Sequence, residues 1–261
     1  MVEQKINKVL KLKVSIVLYR NPREQIEKVI NSLRQTRVHY ELDLVDNSDS
    51  SEYFSWLELN ENEKYQLLPK NIGFGAAHNH SIKDTINRQI SFHLVLNPDV
   101  YFIGDVITPI LAYMNENISV GLVAPKVLYP NGKIQYLCKK LPTPYDLFIR
   151  RFGSHESRQK NDYYFEMRDR DYDQIMEVPS LSGCFMMFRT SILQKIKGFD
   201  ERFFMYMEDV DISRRASLEA KNIHFPGVTI YHEHGQGSYK SKKLLWIHIK
   251  STLQYFIKWG W

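Results

Sequence analysis

Short apolar segments that alternate with helical ones are the feature that most constrains the fold of this chain. The segments with the length and composition of buried strands are Val14–Tyr19, Glu41–Val45, Tyr65–Leu68 and Phe92–Leu96. Helical periodicity follows Pro22 and appears again from Ala76 to about Arg88. Regular alternation of strand and helix predicts an α/β fold with a doubly wound, mostly parallel sheet, which binds ligands at the carboxyl ends of its strands.

The size and composition of the chain fit one globular α/β unit. It has 261 residues, of which 43% are hydrophobic and 25% are charged, and this is enough to bury a full core. Cys138 and Cys184 lie far apart without metal-ligand spacing, which favours reduced thiols in a cytoplasmic protein. No apolar run reaches the roughly 20 residues of a membrane span, and Met1–Lys13 lacks a signal-peptide core. The net charge of +5 suits acidic partners such as nucleotide phosphates, anionic lipids or nucleic acid.

Polar residues follow each predicted strand, so we expect them to meet at one rim of the sheet. Tyr19 ends the first strand, Asp46 follows the second, Asn71–Gly75 the third and Asn97–Asp99 the fourth. Asp46 could accept hydrogen bonds from a nucleobase or ribose, or it could cap the turn that it begins. The two glycines of the third cluster suit close approach to a nucleotide or a loop with positive φ, and they do not form a G-x-G-x-x-G fingerprint.

Asp99 is the best candidate for a metal ligand. A hard divalent cation is typically held by one or two carboxylates, with substrate phosphates and water completing its shell. His232 follows another short predicted strand, Val228–Ile230, and could complete this shell or contact a phosphate. The spacing of His232 and His234 also permits a separate metal site, although exposed loop histidines fit the pattern equally well.

An aromatic and methionine segment, Phe203–Met207, ends at three acids, which are Glu208, Asp209 and Asp211. Acids favour the first turn of a helix because they complement its dipole, and Asp211 is spaced to pair with Arg215. The pattern fits an acid-capped surface helix, or a carboxylate held at the mouth of a pocket as a general base.

The second half of the chain is less regular. Tyr129–Gly132 resembles a turn between two strands, and Pro179–Phe188 has the composition of a strand. Residues 141–178 are charged and aromatic with little periodicity, which favours a mobile loop over the ligand site, with a surface excursion as the alternative.

The C-terminal residues 239–261 predict a basic amphipathic helix. Leu245, Ile249, Leu253 and Phe256 share one helical face, with lysines and tryptophans around it. Such a helix lies in a membrane interface or docks on the domain, and a docked helix can still expose a basic, aromatic edge to lipid.

The order and spacing of these motifs resemble those of a known enzyme family. The motifs are Asp46, Asn71–Ala77, the sequences LNPD, SGCFMMFR and GFDERFFMYMEDVDISRR, and the segment His232–Ser238. Over about Lys13–Ser238 the chain resembles the inverting GT-A glycosyltransferases of family 2, and among them the bacterial rhamnosyltransferases of surface-polysaccharide assembly. The resemblance implies a GT-A fold with a Rossmann-like nucleotide-binding half, an acceptor-binding half and a C-terminal amphipathic helix.

The resemblance also implies roles for the residues at the strand ends. Tyr19 and Asp46 would bind the pyrimidine nucleoside of the donor. Asn71, Gly73 and Gly75 would line the nucleotide pocket.

Roles in metal binding and catalysis follow in the same way. Asp99 matches the last Asp of the family's D-x-D metal motif, Asn97 stands where the first Asp would be, and His232 matches a histidine near the metal and diphosphate. The expected cofactor is Mg²⁺ or Mn²⁺. Asp209 matches the catalytic base of the family's Glu-Asp motif, with Glu208 as the alternative base or an acceptor contact.

The implied function is that of an inverting, metal-dependent hexosyltransferase. The resemblance favours transfer of L-rhamnose from dTDP-L-rhamnose to a lipid-linked saccharide in lipopolysaccharide O-antigen or capsule synthesis, and another dTDP- or UDP-sugar is the alternative. A sugar nucleotidyltransferase would need a glycine- and lysine-rich phosphate loop where Tyr19–Pro22 stands. A nucleic-acid-binding module would need lysines and aromatics interleaved on one face, whereas this mixture is confined to the C-terminal helix, so we expect no nucleic-acid partner.

The expected organisation is one catalytic domain, residues 1–238, followed by the helix of residues 239–261. Residues 13–125 would bind the nucleotide sugar, and residues 126–238 would form the acceptor and catalytic half. We expect a cytoplasmic protein, with peripheral attachment to the inner face of the bacterial cytoplasmic membrane as the alternative, and the oligomeric state stays open.

Overall fold

A computed structural model describes residues 11–48, 52–233 and 242–261. The strands are β1 (Leu12–Leu18), β2 (Tyr40–Asp46), β3 (Glu63–Leu67), β4 (Phe92–Leu96), β5 (Val100–Tyr101), β6 (Val120–Leu128), β7 (Cys138–Lys139), β8 (Met176–Glu177), β9 (Ser180–Leu181), β10 (Phe185–Arg189) and β11 (Lys221–His232). The helices are α1 (Arg23–Leu33), α2 (Phe74–Asn87), α3 (Ile107–Glu116), α4 (Pro144–Phe152), α5 (His155–Phe165), α6 (Thr190–Ile196), α7 (Glu208–Ser217) and α8 (Lys242–Trp259). A 3-10 helix spans Glu52–Ser55. Most of Met1–Lys13 and of His232–Ser238, two segments named from the sequence, lies outside the described residues.

One mixed sheet has the spatial order β3-β2-β1-β4-β10-β6-β11-β5, and β8 pairs with β11. The four strands β1 to β4 are parallel to one another, as are β6 and β11. β10 runs antiparallel to both β4 and β6 and joins the two parallel parts. The predicted α/β class with a mostly parallel sheet is confirmed, and β7 and β9 form a small antiparallel pair beside it.

Helices cover both faces of the sheet, which explains why its strands are apolar on both sides. Leu94 and Leu96 of β4 pack in one core cluster with residues of α1 and α3. Val95, between them, packs in the other cluster with Ile82 of α2 and Leu193 of α6. Strands buried on both faces are typical of parallel sheets, because the crossover helices lie on the faces.

The predicted loop at residues 141–178 is wrong for most of its length, since α4 and α5 form there. Thr143 and Asp146 form a capping box, in which the Asp146 amide donates to Thr143 Oγ1 (3.2 Å) and the Thr143 amide to Asp146 Oδ2 (2.8 Å). Pro144 occupies the first turn, where a missing N–H costs nothing. Three large aromatic side chains of α4, Tyr145, Phe148 and Phe152, face solvent.

The other elements predicted in the second half of the chain lie closer to the observed ones. The turn at Tyr129 is confirmed, because its amide donates to the Lys133 carbonyl (2.8 Å) and Leu128 pairs with Ile134. Pro179–Phe188 is not one strand, since the chain passes at Ser182–Cys184 from β9, in the small antiparallel pair, to β10, in the main sheet. The short strand predicted at Val228–Ile230 is part of the longer β11.

The C-terminal helix predicted from the sequence is α8, and it docks on the domain. Tyr255 and Phe256 are buried in a cluster with Phe203 and Met207. Ile249 and Leu253, which the sequence placed on the same apolar face as Phe256, are exposed. No helix of the described ranges is long and apolar enough to span a bilayer.

Candidate active site

The carboxyl ends of β1, β2 and β3 lie side by side, as the sequence predicted. Leu18 pairs in register with Asp46, and Asp46 pairs with Leu67. Tyr19 follows directly after β1 and remains about half exposed at 47%. Its amide donates to Asn21 Oδ1 (2.8 Å), which turns the chain into α1.

Asp46 is completely buried and both of its oxygens accept hydrogen bonds. The Ser48 amide (2.9 Å) and the Ser48 hydroxyl donate to Oδ1, and the Tyr65 hydroxyl donates to Oδ2 (2.5 Å). Burial, followed by the contact with Asp46, raises the pKa of the Tyr65 phenol. The turn-capping contact is therefore present, and contact of Asp46 with a nucleoside stays a prediction.

Asn47, which sequence reasoning missed, joins the end of β2 to the loop that contains Asn71. Asn47 Nδ2 donates to Asn71 Oδ1 (3.0 Å), and the Ile72 amide donates to Asn47 Oδ1 (2.9 Å). Asn71 Oδ1 also accepts from the Gly73 amide (2.9 Å). The sequence did contain a signal for Asn47, because this residue directly follows Asp46 at the end of a predicted strand.

Gly73 and Gly75 are required by packing within the chain itself. Gly73 has a φ of +93°, and a Cβ there would collide with the backbone of Phe204. A Cβ on Gly75 would lie 2.8 Å from the Cβ of Phe199. The Phe74 amide donates to the Phe204 carbonyl (2.9 Å), so the glycine loop is joined to the segment that precedes the acids. Contact of either glycine with a nucleotide stays a prediction.

The helix predicted to begin at the acids is confirmed, and two strained residues precede it. Tyr206 and Met207 have φ values of 69° and 67°, in the left-handed region that residues other than glycine rarely adopt. Met207 is buried beside residues of α8, and the Tyr206 ring contacts His248 of the same helix (4.9 Å between centroids). Backbone strain of this kind often marks a functional site.

The two adjacent acids, Glu208 and Asp209, differ in their environments. Glu208 is buried, and its Oε2 has no hydrogen-bond partner among the described residues. Burial, and then the charge of Asp209, raise the pKa of the Glu208 carboxyl well above its usual range. Asp209 is partly exposed and accepts from the amides of Val210 (2.9 Å) and Gly183 (3.3 Å). Burial thus disfavours the charged form of Glu208, and the partly exposed Asp209 is the better candidate for a proton acceptor.

The segment Ser182–Cys184 connects the acids to the end of β4. The Gly183 amide donates to Asp209 Oδ2, and the Cys184 carbonyl accepts from the Asn97 amide (2.9 Å). Burial raises the pKa of the Cys184 thiol to about 12, and the charges of Asp99 and Asp209 contribute in the same direction. The candidate base and the candidate metal ligand therefore flank one short segment, whose small residues were the signal in the sequence.

The Asn97–Asp99 turn contains donor atoms that fit a divalent cation. Asn97 Oδ1 and Asp99 Oδ1 are buried, and neither has a hydrogen-bond partner within the described part of the chain. Buried polar atoms are normally paired, and two such oxygens on one turn suit a hard divalent cation. His232 Nε2 lies 3.4 Å from Asp99 Oδ1, and the Glu233 amide donates to the Asp99 carbonyl (2.9 Å).

The protein supplies only part of a metal shell here. Across residues 11–48, 52–233 and 242–261, no group of three or more His, Cys, Asp or Glu side chains could hold a metal by itself. Asn97, Asp99 and His232 fit a cation that takes its remaining ligands from phosphate oxygens and water. His234, the other histidine of the predicted pair, lies outside the described residues.

Curated relatives of the chain include rhamnosyltransferases. No family model matches the chain. It is 24% identical to the rhamnosyltransferase WbbL of Escherichia coli, in an alignment that covers 93% of this chain and 92% of that protein. It is 28% identical to an N-acetylglucosaminyl-diphospho-decaprenol L-rhamnosyltransferase of Mycobacterium tuberculosis, in an alignment that covers 72% of this chain and 65% of that protein.

Solved structures of glycosyltransferases share the fold. GalNAc-T7 with UDP, GalNAc and Mn²⁺ superposes with a TM-score of 0.61 at 14% identity, over 85% of this chain and 43% of that chain. Residues 1–349 of S. aureus TarS superpose with a TM-score of 0.56 at 19% identity, over 92% of this chain and 65% of that chain. The predicted GT-A fold and the resemblance to rhamnosyltransferases are confirmed, and the chain is a glycosyltransferase of this fold.

Proposed function

We propose that the protein transfers L-rhamnose from dTDP-L-rhamnose to a lipid-linked saccharide, with inversion at the anomeric carbon. The observation that carries the proposal is the Ser182–Cys184 segment, which contacts Asp209 on one side and Asn97 on the other. A sugar-transfer site needs a base on the acceptor side and a diphosphate-binding group on the donor side, and this segment connects candidates for both. Both relatives are rhamnosyltransferases, which supports rhamnose as the sugar, and the decaprenol-linked substrate in the name of the Mycobacterium tuberculosis relative supports a lipid-linked acceptor.

Asp209 acts as the general base in this proposal. Its carboxylate takes the proton of the acceptor hydroxyl while the hydroxyl oxygen forms a bond to the anomeric carbon. The bond between that carbon and the diphosphate oxygen breaks in the same displacement, and dTDP leaves. One displacement inverts the configuration, so no covalent sugar–enzyme intermediate is needed. The Gly183 amide, which donates to Asp209 Oδ2, orients the carboxylate.

Asn97, Asp99 and His232 would hold a divalent cation on the donor side. When bound, Mg²⁺ or Mn²⁺ would neutralise the charge that develops on the departing diphosphate. A solved structure of the same fold contains UDP and Mn²⁺, which supports a cation in this role.

The nucleotide would lie along the rim formed by β1 to β4. Tyr19 has an exposed ring that a pyrimidine could stack on, and Asp46 and Asn71 are held rigidly at the neighbouring strand end. Gly73 and Gly75 lie where α2 begins. The Phe74 amide donates to Phe204, so the next amides of the helix, those of Gly75 and Ala76, would face phosphate. A UDP-sugar donor is the alternative, because solved structures of this fold contain UDP.

The acceptor would enter beside α4, α5 and α7. We propose that residues 13–125 bind the donor and residues 126–238 form the acceptor side within one catalytic domain. The exposed aromatic side chains of α4, Tyr145 and Phe148 among them, support contact with an amphipathic acceptor there.

We also propose that α8 attaches the protein peripherally to an anionic membrane, at the inner face of the cytoplasmic membrane. Its outer side exposes Trp246 (71%), Ile249, Leu253 and Ile257 (76%), which recur at helical spacing. Lys242, Lys243 and Lys250 are exposed on the same helix. Exposed apolar side chains with flanking lysines are typical of helices that bind anionic lipid surfaces.

Vesicle flotation tests the membrane contact with matched variants. We expect the double variant Trp246→Ser/Ile257→Ser to lose binding to vesicles that contain anionic lipid. Ile118→Ser removes a side chain that is equally exposed on another surface, and it should bind like the wild type. If both variants float as well as the wild type, the membrane contact is contradicted, and α8 serves only to dock on the domain.

A transfer assay tests the proposed reaction itself. The protein is incubated with a polyprenyl-diphosphate saccharide, Mg²⁺ and, in separate reactions, dTDP-L-rhamnose or UDP-sugars. We expect rhamnose transfer from dTDP-L-rhamnose, with an anomeric configuration in the product opposite to that in the donor. Transfer from a UDP-sugar alone, or retention of configuration, would contradict the proposal.

A further inference from the structure

Gln135 is a buried residue that contacts His232 at two points. Gln135 Nε2 donates to the His232 carbonyl (2.6 Å), and Gln135 Oε1 lies 2.9 Å from His232 Nδ1. Both side chains are almost entirely buried, with 3% and 4% exposure. The main-chain N–H of Gln135 donates to the Val127 carbonyl (2.9 Å), which fixes the backbone of Gln135 to β6. Gln135 thus links β6 to the end of β11.

These two contacts determine which ring nitrogen of His232 carries the proton. A backbone carbonyl only accepts hydrogen bonds, so the Gln135 amide nitrogen must face the His232 carbonyl. The amide oxygen, which also only accepts, must then face Nδ1. Nδ1 of the neutral imidazole is therefore protonated, and Nε2 carries the lone pair.

The unprotonated nitrogen is the one that faces Asp99. His232 Nε2 lies 3.4 Å from Asp99 Oδ1, an oxygen with no hydrogen-bond partner inside the described ranges. Two electron-rich atoms that converge in this way suit a cation between or beside them. Metal-binding histidines typically donate their other N–H to a buried acceptor, which fixes the ring and its tautomer.

We propose that Gln135 is a positioning residue that holds His232 in the Nδ1-protonated tautomer, so that the lone pair of Nε2 faces a divalent cation bound beside Asp99. The identity of the ligand rests on the proposed function, whereas the tautomer rests on the contacts of Gln135 alone. The two parts are therefore tested by separate measurements.

NMR of the full chain with ¹⁵N-labelled histidine tests the tautomer without any ligand. At pH 8, above the usual range of histidine pKa values, we expect His232 to have its proton on Nδ1. Gln135→Met removes both contacts at similar volume, and the proton should move to Nε2, where it can donate to Asp99 Oδ1. Gln135→Glu retains an acceptor for Nδ1–H and should retain the tautomer. A proton on Nε2 in the wild type, or no change in Gln135→Met, would overturn the inference.

Mn²⁺ binding in the presence of dTDP tests the consequence for the site. We expect Gln135→Met to weaken Mn²⁺ binding by about 10–100-fold, the usual effect of losing such an outer contact. In a His232→Ala background the same substitution should have no further effect, because the residue that it positions is gone. If Gln135 had only a structural role, Gln135→Met would lower the melting temperature and leave the Mn²⁺ affinity unchanged. That result would contradict the proposal.

Gln25→Met is the matched control. Gln25 Nε2 donates to Glu233 Oε2 (3.3 Å), directly beside His232, and makes no contact with the imidazole nitrogens. It should leave both the tautomer and the Mn²⁺ affinity unchanged. If the wild type binds no Mn²⁺ with dTDP, the cation of the proposed function is wrong, and the NMR measurement still decides the role of Gln135.

Discussion

Lys258 Nζ lies 2.6 Å from Asp211 Oδ1, and this contact joins the C-terminal helix α8 to the helix that carries Asp209. Trp259 Nε1 donates to the same oxygen (2.9 Å), and Arg215 Nε donates to Asp211 Oδ2 (2.8 Å). The pairing of Asp211 with Arg215 was predicted from their spacing, whereas the contacts from α8 were not. Asp211 is completely buried, so its charge requires these partners.

Lys258→Met should destabilise the protein by roughly 1–3 kcal/mol, because a buried carboxylate loses one of its charged partners. Denaturant unfolding followed by circular dichroism measures the change. Lys250→Met, on the exposed side of the same helix, should change the free energy of unfolding by less than about 0.5 kcal/mol. Equal effects of the two substitutions would show that the contact with Asp211 does not stabilise the fold.

Asp209→Asn should lower kcat by about 10²–10⁴-fold, because an amide cannot accept the acceptor's proton. Donor binding, measured by calorimetry with dTDP, should be retained. Glu208→Gln should have a much smaller effect on kcat, since burial disfavours the charged form of this carboxyl. A larger loss of kcat in Glu208→Gln than in Asp209→Asn would identify Glu208 as the base.

Gly73→Ala should destabilise the protein more than Gly104→Ala, although both glycines have positive φ values of +93° and +75°. A Cβ at position 104 meets nothing within 4 Å, so its cost is about 1–2 kcal/mol of backbone strain. At position 73 the Cβ also collides with the Phe204 backbone, which should add about 1–3 kcal/mol. Thermal or denaturant unfolding of the two variants measures the difference, and similar losses would rule out the close packing.

Removal of divalent cations with a chelator should suppress transfer, and added Mg²⁺ or Mn²⁺ should restore it. The physical reason is the loss of the charge that would neutralise the departing diphosphate beside Asp99. Initial rates in chelator, with and without each metal, check the expectation. Full activity in the presence of chelator would show that transfer needs no metal bound at Asp99.

Stability should fall as the pH is lowered from about 6.5 towards 5, because two buried histidines stay neutral in the fold. Burial lowers the pKa of His78 to about 3, and burial also places the pKa of His93 well below its ordinary value. Both rings contact the Ser15 hydroxyl, at 2.7 and 2.8 Å. The unfolded chain takes up protons below about pH 6.5 and the folded one does not, so each histidine contributes a loss approaching about 1.4 kcal/mol per pH unit.

Urea unfolding at a series of pH values from 7.5 to 5 measures this dependence. His80→Gln alters an exposed histidine on the same helix as His78 and should leave the slope unchanged. A free energy of unfolding that stays constant over this range would contradict neutral burial of His78 and His93.

Local patterns explain which features the sequence could predict. The strand at Phe92–Leu96, the helix that begins at Glu208 and the i,i+4 pair of Asp211 and Arg215 depend on residues close in the chain. The α4 helix was missed although Thr143, Pro144 and Asp146 form a local signal for the start of a helix. The packing of Phe204 against the glycine loop joins residues far apart in the chain, so the sequence did not predict it.

By itself the sequence determined the α/β class, the polar clusters at the strand ends and the candidate acids, since each arises from spacing within a few residues. Only the tertiary structure decided that Asp99 meets His232, that Gln135 sets the orientation of that histidine, and that Ser182–Cys184 joins Asn97 to Asp209. These pairs lie far apart along the chain, and their approach depends on how β6, β10 and β11 pack into one sheet. A contact of this kind has no periodic signature, so it is decided by packing rather than by any local pattern.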